Sequence, residues 1–309
     1  MYKIGIDLGG TYIKGGIIKN KTDIVYKTSI ETPESHSPAD VCQAINELIT
    51  MLRNNLATGP DECEMVGVGC PGTVDSEKGI VLYSNNFNWN RPVYVADAIS
   101  EVQHLPVKIS NDANCAALGE YQINNYTGTM LLITLGTGLG TGVVDNGILY
   151  EGGHAGAIEM GHMIIKDGGR KCTCGNRGCL EAYVSTKGLI KTANKYSDKK
   201  GELNKLFKSK KKPMIKDITD AVRLNDKYAV KAFNKYLDML TKGMASMINI
   251  FRPDTICIGG GISASFDLME EYFNENVKEY CFGREKVFVP KIIQASGGND
   301  AGIIGAANL

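Results

Sequence analysis

The sequence predicts an α/β protein of two domains, and three observations carry the prediction. The chain has 309 residues, more than one small core accommodates. Apolar strand-like runs alternate with stretches of helical periodicity. Two segments, residues 2–18 and 129–150, share one plan of apolar strand, glycine-rich turn and second apolar strand. The first reads YKIGIDL, GGTYIKGG, II, and the second TMLLIT, LGTGLGTG, VVDNGILY. This is a weak internal repeat with one glycine-rich β-turn per domain.

The elements follow in order. Ser37-Pro38 can cap and open a helix. Val41, Ile45, Leu48, Leu52 and Leu56 then recur at spacings of four and three, which is one apolar helical face. Residues 107–121, VKISNDANCAALGEY, read as a strand, a corner at Asn111-Asp112, and a helix. Asp145-Asn146-Gly147 is a hairpin-turn signal. Residues 180–196 and 228–251 read as helices, the second stopping before Pro253. DTICIGGGI (254–262) is a buried strand running into glycines, 266–280 a helix, and VFVPKII (287–293) a short strand. The lysine-rich run from Lys199 to Pro213 reads as a solvated loop or helix face.

Composition excludes several roles. Hydrophobic residues make up 43% and charged residues 22%, an ordinary soluble balance. With 34 basic and 34 acidic residues the net charge is zero, which argues against nucleic-acid or membrane partners. The start, MYKIGIDLGGT, lacks signal-peptide character, and no apolar stretch approaches membrane-span length. Nine cysteines, an odd number, fit a reduced cytoplasmic setting better than a disulfide framework.

Glycine, at 36 residues, allows close backbone approach, and successive backbone N–H groups bind phosphate well. A Walker A loop is excluded because the chain has no Gly-Lys dipeptide. A Rossmann turn is excluded because residues 136–142 lead into a strand rather than a helix. Two β-hairpin turns gripping a polyphosphate are what remains, with tight turns of purely structural use as the alternative. On this reading a side chain at Gly138 crowds the phosphates. Asp7 lies two residues before Gly9-Gly10-Thr11, so it either caps the turn or holds Mg²⁺ beside bound phosphates. Asp112 sits at a strand-to-helix corner, where it either caps the helix or accepts a proton from a sugar hydroxyl during phosphoryl transfer. Asn111 either caps the helix or binds neighbouring hydroxyls.

Cys172-Thr173-Cys174-Gly-Asn-Arg-Gly-Cys179 is the most specific local signal. Three thiols in eight residues suit a structural tetrahedral Zn²⁺ that lacks only a fourth ligand. His162 is the nearest histidine and His154 the other choice. Such a knot gathers Glu159, His162 and Glu181 into one locality, a wall able to bind hydroxyls.

At these residues the sequence resembles the ROK family of bacterial sugar kinases and repressors, over nearly the whole chain. IGIDLGGTYIK, VGCPGTVD, NDANCAALGE, LLITLGTGLGTG, EMGH, CTCGNRGCLE, ICIGGGIS and GNDAGIIGAA occur in family order. The resemblance implies a two-domain actin-like ATPase (ribonuclease H-like) fold with an interdomain cleft. The domains are expected over 1–115 plus 300–309, and over 116–299 with the zinc motif. It implies an ATP-dependent hexose kinase, most simply one that makes glucose 6-phosphate, with Asp112 as catalytic base. It implies sugar contacts from Asn86, Asn111, Asp112, Glu159, His162 and Glu181. The nucleotide falls to Asp7, Gly9, Gly10, Thr11, Lys14, Gly136, Thr137, Gly138, Gly260 and Gly261, with the glycines from Gly259 to Gly261 near the adenosine. It implies His162, Cys172, Cys174 and Cys179 as zinc ligands, ATP with Mg²⁺, and a homodimer or dimer of dimers.

Two departures stand out. Thr141 occupies a position that is usually glycine in the family's glucokinases, with a slight effect expected on phosphate approach. Asn88 replaces the glycine before Trp89, near the expected sugar site. Within the family the rivals are an N-acetylmannosamine kinase and a fructokinase. A sugar-responsive repressor is the rival of another class; the family's repressors carry a helix-turn-helix before the first turn, whereas six residues precede Asp7 here.

Overall fold

A computed structural model of the chain describes residues 1–309 apart from 57–58, 60–61, 154–155, 198–199, 210–212 and 287. His154, parts of the lysine-rich run and Val287 therefore lie outside the described residues. The described chain divides into two compact units: Met1–Leu132 with Thr141–Ile158 and Ser296–Leu309, and Ile133–Gly140 with Glu159–Ala295.

The chain opens with strands β1 (Tyr2–Leu8), β2 (Tyr12–Lys19) and β3 (Asp23–Glu31), then helix α1 (Pro38–Asn54). The Ser37 hydroxyl accepts from the Asp40 N–H at 3.2 Å, so the predicted cap starts α1. Strands β4 (Cys63–Cys70), β5 (Thr73–Asp75) and β6 (Ile80–Tyr83) follow, then α2 (Val95–Gln103), β7 (Val107–Asn111) and α3 (Asp112–Ile123). The first sheet has the order β3-β2-β1-β4-β7; β2 is antiparallel to β1 and β3, and β4 is parallel to β1 and β7. Ile4, Ile6, Val66 and Val68 from this sheet form one buried core with Val41, Ile45, Leu48 and Leu52 of α1.

Next come β8 (Thr129–Leu135), β9 (Leu139–Asp145) and β10 (Ile148–Tyr150). Asn146 and Gly147, with φ of 48° and 83°, make the two-residue hairpin turn between β9 and β10. Helices α4 (Glu181–Val184), α5 (Thr186–Asn194), α6 (Glu202–Ser209), α7 (Ile215–Arg223) and α8 (Lys227–Phe251) follow. The last elements are β11 (Thr255–Gly259), α9 (Glu270–Tyr280), β12 (Lys291–Gln294) and α10 (Asp300–Ala307). The second sheet has the order β10-β9-β8-β11-β12. Each sheet thus carries a consecutive hairpin run on one side of its first strand and later strands on the other, the internal repeat seen in the sequence.

Three boundaries differ from expectation. The helix expected over 180–196 is two helices, because Ser185 is extended at ψ 168° and its hydroxyl caps α5 by accepting from the Gly188 N–H. The helix expected over 266–280 is preceded by a 3-10 segment, Gly261–Leu268, and becomes α-helical only at Glu270. The last strand starts at Lys291, after Pro290. Helix α10 lies against the first sheet at glycines: a Cβ on Gly5 would stand 1.9 Å from the Ile303 carbonyl oxygen, and one on Gly67 1.7 Å from that of Ala306. No helix among the described residues is long and apolar enough to cross a membrane.

Candidate active site

In the first unit, Asp7 is the penultimate residue of β1 and lies opposite Lys14 of β2, with Lys14 Nζ 3.9 Å from its carboxylate. Burial raises the Asp7 pKa, and the Lys14 charge opposes that rise. Gly9, Gly10 and Thr11 form the turn between β1 and β2, and a Cβ on Gly10 would meet nothing within 4 Å. Thr32 braces this turn: its hydroxyl donates to the Gly9 carbonyl at 2.7 Å, and its N–H to that of Thr11 at 2.9 Å. Asp7 pairs with Gly69 and Gly69 with Ser110, so Asp7 and the Asn111-Asp112 corner lie at the same end of the parallel strands β1, β4 and β7. Ligands of open α/β sheets bind at that carboxyl end.

At the corner the capping role belongs to Asn111. Its side-chain oxygen accepts from the N–H groups of Ala113 at 2.9 Å and Asn114 at 3.3 Å. Its amide nitrogen donates to the Gly72 carbonyl at 3.0 Å. Asp112 is the first residue of α3, half-buried, and accepts from the Ala113 N–H at 2.9 Å. Asn86 is exposed in a turn closed by mutual backbone bonds between Ser84 and Trp89 of 3.0 and 2.9 Å. Buried Trp89 packs on Phe87 at 5.0 Å and donates its indole N–H to the His36 carbonyl at 2.8 Å. Asn88 sits at φ 56°, a conformation open to glycine and readily to asparagine. The Asn88 departure therefore leaves the turn's backbone intact.

In the second unit, Gly136, Thr137 and Gly138 turn the chain from β8 into β9, closed by the Gly136 N–H on the Gly138 carbonyl at 3.0 Å. Gly260, at φ 80°, lies against the end of β8, where a Cβ would stand 2.4 Å from the Leu135 carbonyl oxygen. Gly261 beside it is open, with nothing within 4 Å of a Cβ. The glycines of both segments are thus brought together. A Cβ on Gly138, however, would stand 2.6 Å from Glu181 Oε2, so the side chain it crowds first is Glu181. Thr141 is not in the turn at all. It lies within β9, 3% exposed, and its hydroxyl donates to the Ile158 carbonyl at 2.6 Å.

Glu181 opens α4 and bridges two segments. Its Oε2 accepts from the Leu139 N–H at 3.0 Å, and its Oε1 from the Thr173 hydroxyl at 3.0 Å. Glu159 precedes a 3-10 turn, Met160–His162, and its carboxylate lies 3.9 Å from His162 Nε2. Partial burial raises the Glu159 pKa; His162 opposes this, and the Glu181 charge adds to it. His162 turns its other nitrogen to the cysteines, with Nδ1 3.6 Å from Cys172 Sγ. Cys174 Sγ and Cys179 Sγ are 3.7 Å apart, and the four ligand atoms of His162, Cys172, Cys174 and Cys179 all lie within 4.8 Å of one another. Zinc–sulfur bonds of 2.3 Å at tetrahedral angles put sulfurs about 3.8 Å apart, so this donor set fits a four-coordinate zinc. Burial, with the hydrogen bonds and like charge of Cys172 and Cys174, pushes the Cys179 thiol up to about 12, a penalty that a bound cation would reverse.

The ROK family model matches residues 3–309. The chain belongs to the ROK family. It is 33% identical to a glucokinase of Thermotoga maritima, over 99% of this chain and 96% of the relative. It is 29% identical to the xylose repressor of Bacillus subtilis, over 92% of this chain and 70% of the repressor. The crystal structure of a ROK family glucokinase from Streptomyces griseus, in complex with glucose and AMPPNP, superposes with a TM-score of 0.83 at 29% identity, covering 100% of this chain and 98% of that one. The fold of this ROK protein is the two-domain actin-like ATPase fold of those kinases.

Sequence reasoning missed the braces of the ROK site. Thr32 carried no motif. Arg170 stands beside the cysteine loop, donates to the Ala182 and Gly188 carbonyls at 3.1 and 2.9 Å, and lies 4.7 Å from the Tyr183 ring centre. The Arg170 N–H also donates to the Tyr183 hydroxyl at 2.8 Å. Only tertiary contacts reveal either residue.

Proposed function

We propose that this ROK protein is an ATP-dependent hexose kinase that transfers the γ-phosphoryl group of ATP to the 6-hydroxyl of glucose. The observation that carries this reading is the start of α3, where Asn111 supplies the cap and Asp112 occupies the first helical position. A sugar hydroxyl must lose its proton as it attacks phosphorus. Asp112 takes that proton, an effect worth about 10²–10⁴-fold. Asn86, Glu159, His162 and Glu181 hold sugar hydroxyls, and Asn111 uses the amide hydrogen not given to Gly72. Gly9, Gly10, Thr11 and Lys14 serve the phosphates with Gly136, Thr137 and Gly138, while Gly260 and Gly261 approach the adenosine.

Asp7 is the residue to hold Mg²⁺, directly or through water, and the ion would neutralise phosphate charge there. His162, Cys172, Cys174 and Cys179 would hold a structural zinc with no position left open. The protein works in the cytoplasm as a homodimer or a dimer of dimers. The deciding experiment is a coupled spectrophotometric assay with ATP over glucose, N-acetylmannosamine, fructose and xylose. Glucose is expected to give the highest kcat/KM. Absence of ATP-dependent turnover with every sugar overturns the kinase reading, and sugar binding without turnover would favour a sensor.

A further inference from the structure

The first residues of β9 touch both parts of the wall that the proposed kinase uses for sugar. The Leu139 N–H holds Glu181 at 3.0 Å. The Leu139 carbonyl oxygen abuts Gly161, where a Cβ would stand 2.6 Å away, so it packs on the turn between Glu159 and His162. Two residues on, the Thr141 hydroxyl donates to the Ile158 carbonyl at 2.6 Å. That carbonyl belongs to the peptide unit whose nitrogen is Glu159's own. Fixing the peptide plane fixes the backbone direction from which the Glu159 side chain leaves and the 3-10 turn to His162 begins.

We propose that Thr141 is a positioning residue for the sugar: its hydroxyl locks the Ile158–Glu159 peptide and so aims Glu159 and His162. The bond is short and Thr141 is 3% exposed, so water cannot readily replace the hydroxyl once it is removed. Valine keeps the shape and the strand preference of threonine but leaves the Ile158 carbonyl without this donor. Serine keeps the donor and loses only a methyl group. Nothing at Thr141 points to the phosphates, because its side chain is spent on Ile158.

This inference rests on the hexose-kinase reading, and the test separates the two. Wild-type protein is assayed first. No turnover with any hexose defeats the kinase reading, whereas an active wild type lets Thr141 be judged alone. In Thr141→Val the KM for glucose should rise about tenfold, the usual scale for orphaning a buried acceptor, with kcat and the KM for ATP within about twofold. Thr141→Ser should restore the glucose KM to near the wild-type value. An unchanged glucose KM in Thr141→Val, equal rises for both substrates, or a serine variant no better than valine would each overturn the proposal. If Thr141→Val does not fold, Thr141→Ala carries the same expectation against the same serine rescue.

Discussion

Gly138→Ala puts the second turn to a quantitative test. The added methyl carbon would stand 2.6 Å from Glu181 Oε2 and 3.5 Å from its carboxyl carbon. Glu181 is a flexible side chain, so the clash is relieved by swinging the carboxylate away rather than by moving backbone. The cost is then the charge-assisted bond from the Leu139 N–H at 3.0 Å, and the Thr173 bond moves with it. A hydrogen bond to a charged group contributes roughly 1.5–3 kcal/mol, so a loss of about 2 kcal/mol corresponds to about thirtyfold in sugar affinity. Steady-state kinetics with glucose and ATP varied separately should therefore show the larger KM rise for glucose. Sequence reasoning alone expects the opposite ranking, because it places only phosphates beside Gly138. A double-mutant cycle sharpens the test: in a Glu181→Ala background the Gly138→Ala change should cost little more. A rise confined to the KM for ATP, or a full penalty in the Glu181→Ala background, would refute the argument.

Asp112→Asn should keep glucose affinity and lose about 10²–10⁴-fold in kcat, since asparagine matches the shape and cannot take the proton; near-normal turnover would end the general-base assignment. Metal analysis of purified protein should find about one zinc per chain, and Cys174→Ala should abolish it while lowering Tm and weakening glucose binding more than ATP binding. Folded, active protein with almost no zinc would remove the site. Light scattering at micromolar concentration should give a dimer mass or its double, against which a monomer mass would count.

Much of the architecture is legible because local rules and tertiary packing agree. Ser37-Pro38 starts α1 where capping chemistry says it should, and Asn146-Gly147 supplies the two positive φ values that the β9–β10 turn needs. The break between α4 and α5 is not legible, because the apolar spacing runs through it. It falls at Ser185, which is extended at ψ 168° and caps α5, and Gly188 of α5 then packs so closely on the Tyr183 backbone that a Cβ there would meet the carbonyl at 2.5 Å. At the candidate site the sequence exposes the residue types that do chemistry but not their partners. Glu181 and Leu139 are 42 residues apart, and no periodicity announces their bond. Thr141 shows the same limit: by pattern it belongs to a glycine-rich turn, and only the path of β9 turns its hydroxyl to Ile158.

The seating of α10 on the first sheet has a consequence for how the protein is made. Lys27 of β3 and Asp300 of α10 meet at 2.8 Å although 273 residues separate them. Ile303, Ile304 and Ala307 cover Ile18 in the same way. At a synthesis rate of roughly 5–20 residues per second, that interval takes about 14–55 s. Throughout it, Ile18 lacks the Ile303, Ile304 and Ala307 side chains that complete its buried cluster, while the second sheet and its helices emerge. The first unit to be translated is therefore the last to be finished.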